Sequence, residues 1–181
     1  YSNLIFSSGL KFNKLDVECD MLEKNGKCNI LSALYLNDKE HQEIKTRINH
    51  LSPNCKSYQR VKNVLTSESK GIFQGKIYVR DLAQKTDAYQ LSKALLLNDN
   101  AEFNSKPELE IYADDVKCSH GSTSGSLDED ALYYLMSRGL NRKDSVKLLT
   151  KGFLSDIVDF IKSDTIKKFV ETKLEEQING Y

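Results

Sequence analysis

Near residue 126 the hydrophobic period of this chain changes from that of strands to that of helices. Before the break, apolar and polar residues alternate in seven short β-rich runs, at 15–19, 30–36, 43–50, 57–65, 71–79, 88–97 and 108–118. Alternation sends successive side chains to opposite faces, the mark of a half-buried strand. Between the runs lie turn formers such as Asn25-Gly26, Asn37-Asp38, Pro53-Asn54 and Asn98-Asp99-Asn100. Strands so spaced build either an antiparallel sandwich or a parallel solenoid. The connectors are not two-residue hairpin turns, and polar outward rows recur in most runs, so the solenoid is favoured.

After the break the residues recur at helical spacing. Ser126-Leu127-Asp128-Glu129 has the form of a capping box, with Ser126 as cap and Glu129 reaching back. That helix is expected to pass through Ala131, Leu132 and Leu135 to Ser137, with Gly139 as its stop. Asn141 is expected to cap a second helix ending at Gly152. A third segment places Ile157, Val158 and Ile161 on one face, and a fourth Ile166, Phe169, Val170 and Leu174. Such stripes pack on one another or dock into a partner's groove. A helical tail can also cover the open end of a solenoid. The expected domains are 1–125 and 126–181.

Composition narrows the function. In 181 residues, 26 Lys and Arg balance 26 Asp and Glu, which argues against a nucleic-acid binder or a basic membrane arm. No apolar stretch reaches the length needed to span a bilayer. Gly71-Ile72-Phe73-Gln74-Gly75 lacks the lysine of a phosphate-binding loop and reads as strand punctuation. Ser122-Thr123-Ser124-Gly125 reads as a loop leading into the helices. His50 is expected to bond to backbone, and His41 to be solvated in a polar turn. The four cysteines, Cys19, Cys28, Cys55 and Cys118, form no paired motif and are read as reduced, with the first three buried and inert.

Cys118 stands apart because of its neighbours, Asp114-Asp115-Val116-Lys117-Cys118-Ser119-His120-Gly121. On a strand, Cys118 and His120 point to the same side. A thiolate beside an imidazole suits iron, zinc or copper(I), or serves as nucleophile and base. Two ligands do not complete a tetrahedral site, so further ligands come from elsewhere in the chain or across an interface, and the sequence offers no second cluster. Two rival readings remain at this point. One is a zinc protein using Cys118 and His120. The other is a β-helix protein that binds or cleaves polysaccharide with Asp114 and Asp115, which adjacent strand positions would turn to opposite sides.

The chain also resembles the SufB/SufD family, the scaffold subunits of the SUF iron–sulfur cluster assembly system. Asn49-His50-Leu51-Ser52-Pro53-Asn54-Cys55, Gly71-Ile72-Phe73-Gln74-Gly75-Lys76-Ile77, Gln84-Lys85-Thr86-Asp87-Ala88, Glu110-Ile111-Tyr112-Ala113-Asp114-Asp115-Val116-Lys117-Cys118-Ser119-His120-Gly121 and Met136-Ser137-Arg138-Gly139 carry the resemblance in order and spacing over about residues 43–155. The Cys-Ser-His-Gly run resembles the SufD branch; SufB-like chains carry His-Glu-Ala there and lack the cysteine. The resemblance implies a mainly β fold, a right-handed parallel β-helix followed by a C-terminal α-helical domain. It implies that the chain is the C-terminal part of a longer protein, with Tyr1 inside the β-helix.

It further implies a non-enzymatic scaffold whose partners are SufB, met at the C-terminal end of the β-helix, and the ATPase SufC, met through the helical domain. ATPase activity is expected in SufC, since this chain has no Walker loop. His120 and Cys118 match the family positions implicated in iron entering and in nascent cluster assembly at the SufB interface. Ser137, Arg138, Gly139, Leu140, Leu149, Gly152 and Phe153 are the positions expected to bind SufC. No cofactor is expected to stay bound, only transient iron or a forming iron–sulfur cluster. The implied location is cytoplasmic, or an organelle of bacterial origin such as a plastid.

Overall fold

The computed structural model describes residues 1–7 and 9–180. Among them are nine strands: β1 (Ser2–Ser7), β2 (Phe12–Met21), β3 (Lys27–Leu36), β4 (His41–His50), β5 (Lys56–Leu65), β6 (Lys70–Val79), β7 (Asp87–Leu96), β8 (Glu102–Ile111) and β9 (Lys117–Gly125). Three helices follow, α1 (Glu129–Ser137), α2 (Arg142–Val158) and α3 (Asp164–Asn179). Odd strands form one sheet in the order β1-β3-β5-β7-β9, and even strands form the other, β2-β4-β6-β8. Every pairing is parallel. Each strand therefore lies beside the strand two places on, and the chain winds into a β-helix of about four turns.

Side-chain parity separates inside from outside. Cys28, Ile30 and Leu34 of β3 share a buried cluster with Ile44 and Ile48 of β4 and Phe73 of β6, so these positions face the interior between the sheets. Leu31, Ala33 and Tyr35 alternate with them, face outward, and share a second cluster with the helices. Parallel registration stacks inward positions on inward positions: Ile30 lies beside Gln59, Gln59 beside Gln90, and Gln90 beside His120.

The corners explain the turn formers. Asn25, Asp38 and Asn54 adopt φ of 64°, 51° and 59°, the left-handed region that short Asx side chains tolerate best. Ser67 and Lys85 do the same at the next corners, with φ of 56° and 59°. Backbone bonds join these corners from coil to coil: Asn25 N–H donates to the Pro53 carbonyl, Asn54 N–H to Gln84, and Lys85 N–H to Asp115.

The strand reading is corrected at both ends. β1 is a strand that the alternation did not reveal. The run at 108–118 is two strands, β8 and β9, separated by a bend at Asp114 and Asp115. Ala113 is buried within the turn, which preserved the alternation across it. Ser122, Thr123, Ser124 and Gly125 belong to β9 and not to a loop, because the ladder to β7 supplies pairing that their weak propensity does not. Pro107 is accommodated because β8 is an edge strand.

The helices differ from expectation too. Asp128, not Ser126, caps α1, accepting from the N–H groups of Asp130 and Ala131. α1 ends as a Schellman motif: Leu140 N–H donates to Leu135 O, and Gly139 N–H donates to Met136 O. Gly139 sits at φ +98°, so Gly139→Ala is expected to cost about 1–2 kcal/mol in urea unfolding, whereas Gly152→Ala, in mid-helix with open space for the added carbon, is expected to raise stability by about 0.5–1 kcal/mol. Asn141 caps α2 as expected, but α2 continues through Gly152 to Val158, absorbing much of the third segment. In α3, Val170, Leu174 and Ile178 are buried, whereas Ile166 and Phe169 are exposed.

These helices do not cover the open end of the β-helix. α2 and α3 lie along the outer face of the odd-strand sheet, where Leu154, Ile157, Val158, Val170, Leu174 and Ile178 pack on Leu31, Ala33, Tyr35, Val64 and Leu95, and α1 packs on α2. Asp156 fixes the register of α2 on that face by pairing with Arg60 at 2.6 Å and Lys62 at 2.7 Å. Lys62 also donates to the Phe153 carbonyl and sits 4.6 Å from the centre of its ring.

Candidate functional site

Cys118 and His120 are both in β9, the last strand of the odd-strand sheet. Cys118 is registered on Ala88 and His120 on Gln90, both fully inward positions. The two side chains therefore share the interior side at a coil that no further strand covers. That placement leaves Cys118 half-buried and His120 exposed. Burial pushes the Cys118 thiol up; the Asp87 carboxylate adds to this, and a hydrogen bond with Ala88 backbone opposes it. The neutral thiol is thus favoured.

Among the described residues no group of three His, Cys, Asp and Glu is placed to hold a metal ion. Cys118 and His120 are donors of the right chemistry for a borderline metal, and the pair is incomplete on this chain. Beneath Cys118 the floor is apolar, built from Ile77, Val79 and Ala88, whereas farther along β9 it becomes polar. Ser122, the next inward residue, receives a hydrogen bond from Ser92, which also shares one with Ser105.

Asp114 and Asp115 lie in a turn, which removes the premise that strand parity sets them apart. Asp115 serves that turn: its N–H donates to the Gln84 side chain and its carbonyl receives the Lys85 N–H. His41 begins a strand, 3.0 Å from a Glu43 carboxylate oxygen, and is not in a polar turn. His50 bonds to the Ser57 hydroxyl at 2.9 Å, not to backbone. Cys28 and Cys55 are buried, but Cys19 is half-buried. Cys19 shares a hydrogen bond with Cys28, whose thiol is pushed up to about 12, first by burial.

The positions assigned to SufC binding fall into two groups. Ser137, Arg138 and Gly139 are exposed and Leu140 is half-buried where the end of α1 passes into α2. Leu149 and Phe153 instead line a hollow with Lys93, Thr123 and Leu127 against the sheet, and Gly152 is exposed beside them. Sequence reasoning missed the exposed tyrosines Tyr133 and Tyr134 on α1, 76% and 57% accessible. It also missed the buried Gln59–Gln90 row, which setting the runs side by side at the coil repeat would have aligned.

Parallel strands wound into about four turns, with helices docked on one flank, define the class of the fold as a parallel β-helix with a C-terminal helical segment, and its last strand carries the Cys118–His120 pair. The chain matches the family model of the SUF system FeS cluster assembly, SufBD core domain, over residues 1–153, and it belongs to that family. It is 34% identical over 138 residues to the iron–sulfur cluster assembly protein SufD of Escherichia coli (strain K12), covering 76% of this chain and 33% of that protein. It is 35% identical over 153 residues to the SufBD family protein slr0076 of Synechocystis, covering 84% of this chain and 34% of that protein. It is also 41% identical over 96 residues to the chloroplastic protein ABCI7 of Arabidopsis thaliana, covering 53% of this chain and 20% of that protein. The chain spans about a third of the length of the first two relatives. Family membership supports a role in SUF iron–sulfur cluster assembly.

Proposed function

We propose that this chain is the C-terminal portion of a SufD-type scaffold, which contributes Cys118 and His120 to a site completed by SufB. The observation that carries the reading is the incomplete donor pair at the uncovered end of the β-helix. Iron or a forming cluster is the cargo of this site, held between the two scaffolds. A ligating imidazole is neutral and a ligating sulfur is a thiolate, so cation arrival and loss of the thiol proton are coupled.

The connection Ser137–Leu140, with the adjoining face of α2, is the surface offered to SufC. The scaffold itself catalyses nothing, and ATP hydrolysis belongs to SufC. No described helix is long and apolar enough to cross a membrane. The likeness to bacterial and chloroplastic relatives supports placement in a bacterial cytoplasm or a plastid-type organelle.

The test is cluster reconstitution in the complete complex with SufB and SufC. His120→Ala and Cys118→Ala are each expected to lower cluster yield by roughly tenfold or more, with complex assembly preserved. Unchanged yield in both would remove the site assignment. Stoichiometric zinc in the isolated chain would favour the mononuclear zinc reading instead.

A further inference from the structure

Two thiols meet inside the β-helix, far from β9. Cys19 and Cys28 are both free, and both belong to the buried cluster between the sheets. Cys28 is 1% exposed, and Cys19 is half-buried. Cys19 comes from β2 in the even-strand sheet and Cys28 from β3 in the odd-strand sheet. The turn at 22–26 brings the two strands together, and the two thiols share a hydrogen bond.

The other cysteines are kept out of this pair. Cys55 donates to the Glu23 carbonyl at 3.3 Å, which occupies its thiol at the corner. Cys118 is in the same inward file as Cys28, but Ser57 and Ala88 stand between them. Three strand spacings separate those two sulfurs by about 14 Å. Neither Cys19 nor Cys28 has a part in the site at β9.

We propose that Cys19 and Cys28 are a reversible disulfide site, closed by a peroxide and reopened by a small thiol, that staples β2 to β3 inside the β-helix. Sulfurs already in hydrogen-bond contact have a short way to go to the bonded separation of about 2.05 Å. Peroxide meets Cys19 first, because Cys28 is sealed from solvent. The Cys19 thiolate attacks one peroxide oxygen and the O–O bond breaks. Cys19 becomes a sulfenic acid, and the second oxygen leaves as hydroxide, taking up the proton that Cys19 released to form water. The Cys28 sulfur then displaces the hydroxyl from Cys19. The S–S bond forms, the S–O bond breaks, and the departing hydroxide takes the Cys28 proton as a second water. Two electrons pass from the thiols to the peroxide. Burial, followed by the hydrogen bond with Cys19, pushes the Cys28 thiol up to about 12, so Cys28 keeps its proton until that hydroxide removes it.

The experiment treats the intact, folded protein with hydrogen peroxide, quenches it, unfolds it and blocks the remaining thiols before digestion with trypsin. Trypsin cleaves after Lys24 and Lys27, so the two cysteines fall on separate peptides. Mass spectrometry is expected to find those peptides joined as one species in most of the protein, and dithiothreitol is expected to restore both thiols. The joined form is expected to melt about 5–10 °C higher, the effect of closing a short loop. In Cys28→Ala, dimedone is expected to trap the sulfenic acid on Cys19. Cys55→Ala and Cys118→Ala are expected to leave the joined species unchanged.

Cys19 and Cys28 unlinked after peroxide overturn the proposal in the wild-type protein, whatever the variants do. So does a link to Cys55, to Cys118 or to a second chain in place of the Cys19–Cys28 bond. A link that forms as fast in urea-unfolded protein as in folded protein overturns it too, since the fold would then contribute nothing. An unchanged or lowered Tm of the joined form removes the staple.

Discussion

Leu154→Ala is expected to lower the free energy of unfolding by about 2–5 kcal/mol. Leu154 is 1% exposed and sits where α2 meets the outer face of the odd-strand sheet. Truncation there loses the transfer energy of the removed carbons. It also leaves a void that cannot close easily, because one wall is a hydrogen-bonded ladder and the other is held by Asp156 between Arg60 and Lys62. Urea unfolding measures it, with Leu148→Ala as the internal control. Leu148 is on the same helix but 49% exposed, and its loss is expected to change stability by no more than about 0.5 kcal/mol. Equal effects at the two positions would mean that α2 does not dock on the sheet as described.

The second large effect is acid sensitivity centred on His50. Its ring is fully buried, and burial lowers its pKa from 6.5 to about 4. Nε2 bonds to Ser57, while Nδ1 has no hydrogen-bond partner among the described residues. The folded state therefore prefers the neutral ring, and the unfolded state takes up a proton first as pH falls. Stability tied to this group is fully present above 6.5 and is lost progressively as pH falls toward 4. Between about pH 7.5 and 5 the loss is about 2 kcal/mol. His50→Gln keeps an amide that can reach Ser57 and cannot titrate, so it is expected to flatten this part of the pH profile. Unfolding curves at the two pH values, wild type beside variant, give the difference directly; identical slopes would refute the assignment to His50.

Much of the architecture could be read in the residues because a β-helix repeats a simple physical rule. Inward positions of β3 to β7 alternate with outward ones, and Asn and Asp mark the corners where φ turns positive. The errors arose where that rule is obscured. The bend at Asp114 and Asp115 contains no glycine or proline, and buried Ala113 continues the alternation through it. The end of β9 is serine and glycine, poor strand formers recruited by a ladder already built.

The placement of the helices was less accessible still. The apolar stripes predict burial but not against which surface. The outward face of β3, with Leu31, Ala33 and Tyr35, was the sign that the sheet's flank is covered, since an exposed flank would be polar. The Cys118–His120 pair was legible from strand parity alone. The buried amides below it were not, because only the register between coils brings Gln59, Gln90 and His120 into one file.

Side docking of the helices has a mechanical consequence. A pull on α2 enters the β-helix at β5, through Asp156 and its two basic partners. From β5 the load reaches β9 by crossing the β5–β7 and β7–β9 ladders, sideways through hydrogen bonds rather than lengthwise along a strand. Where β9 is held from outside the chain, such a pull stretches the β7–β9 ladder, the last in the sheet, across its hydrogen bonds. A lever on the helices thus acts on the end of the spring that carries Cys118 and His120.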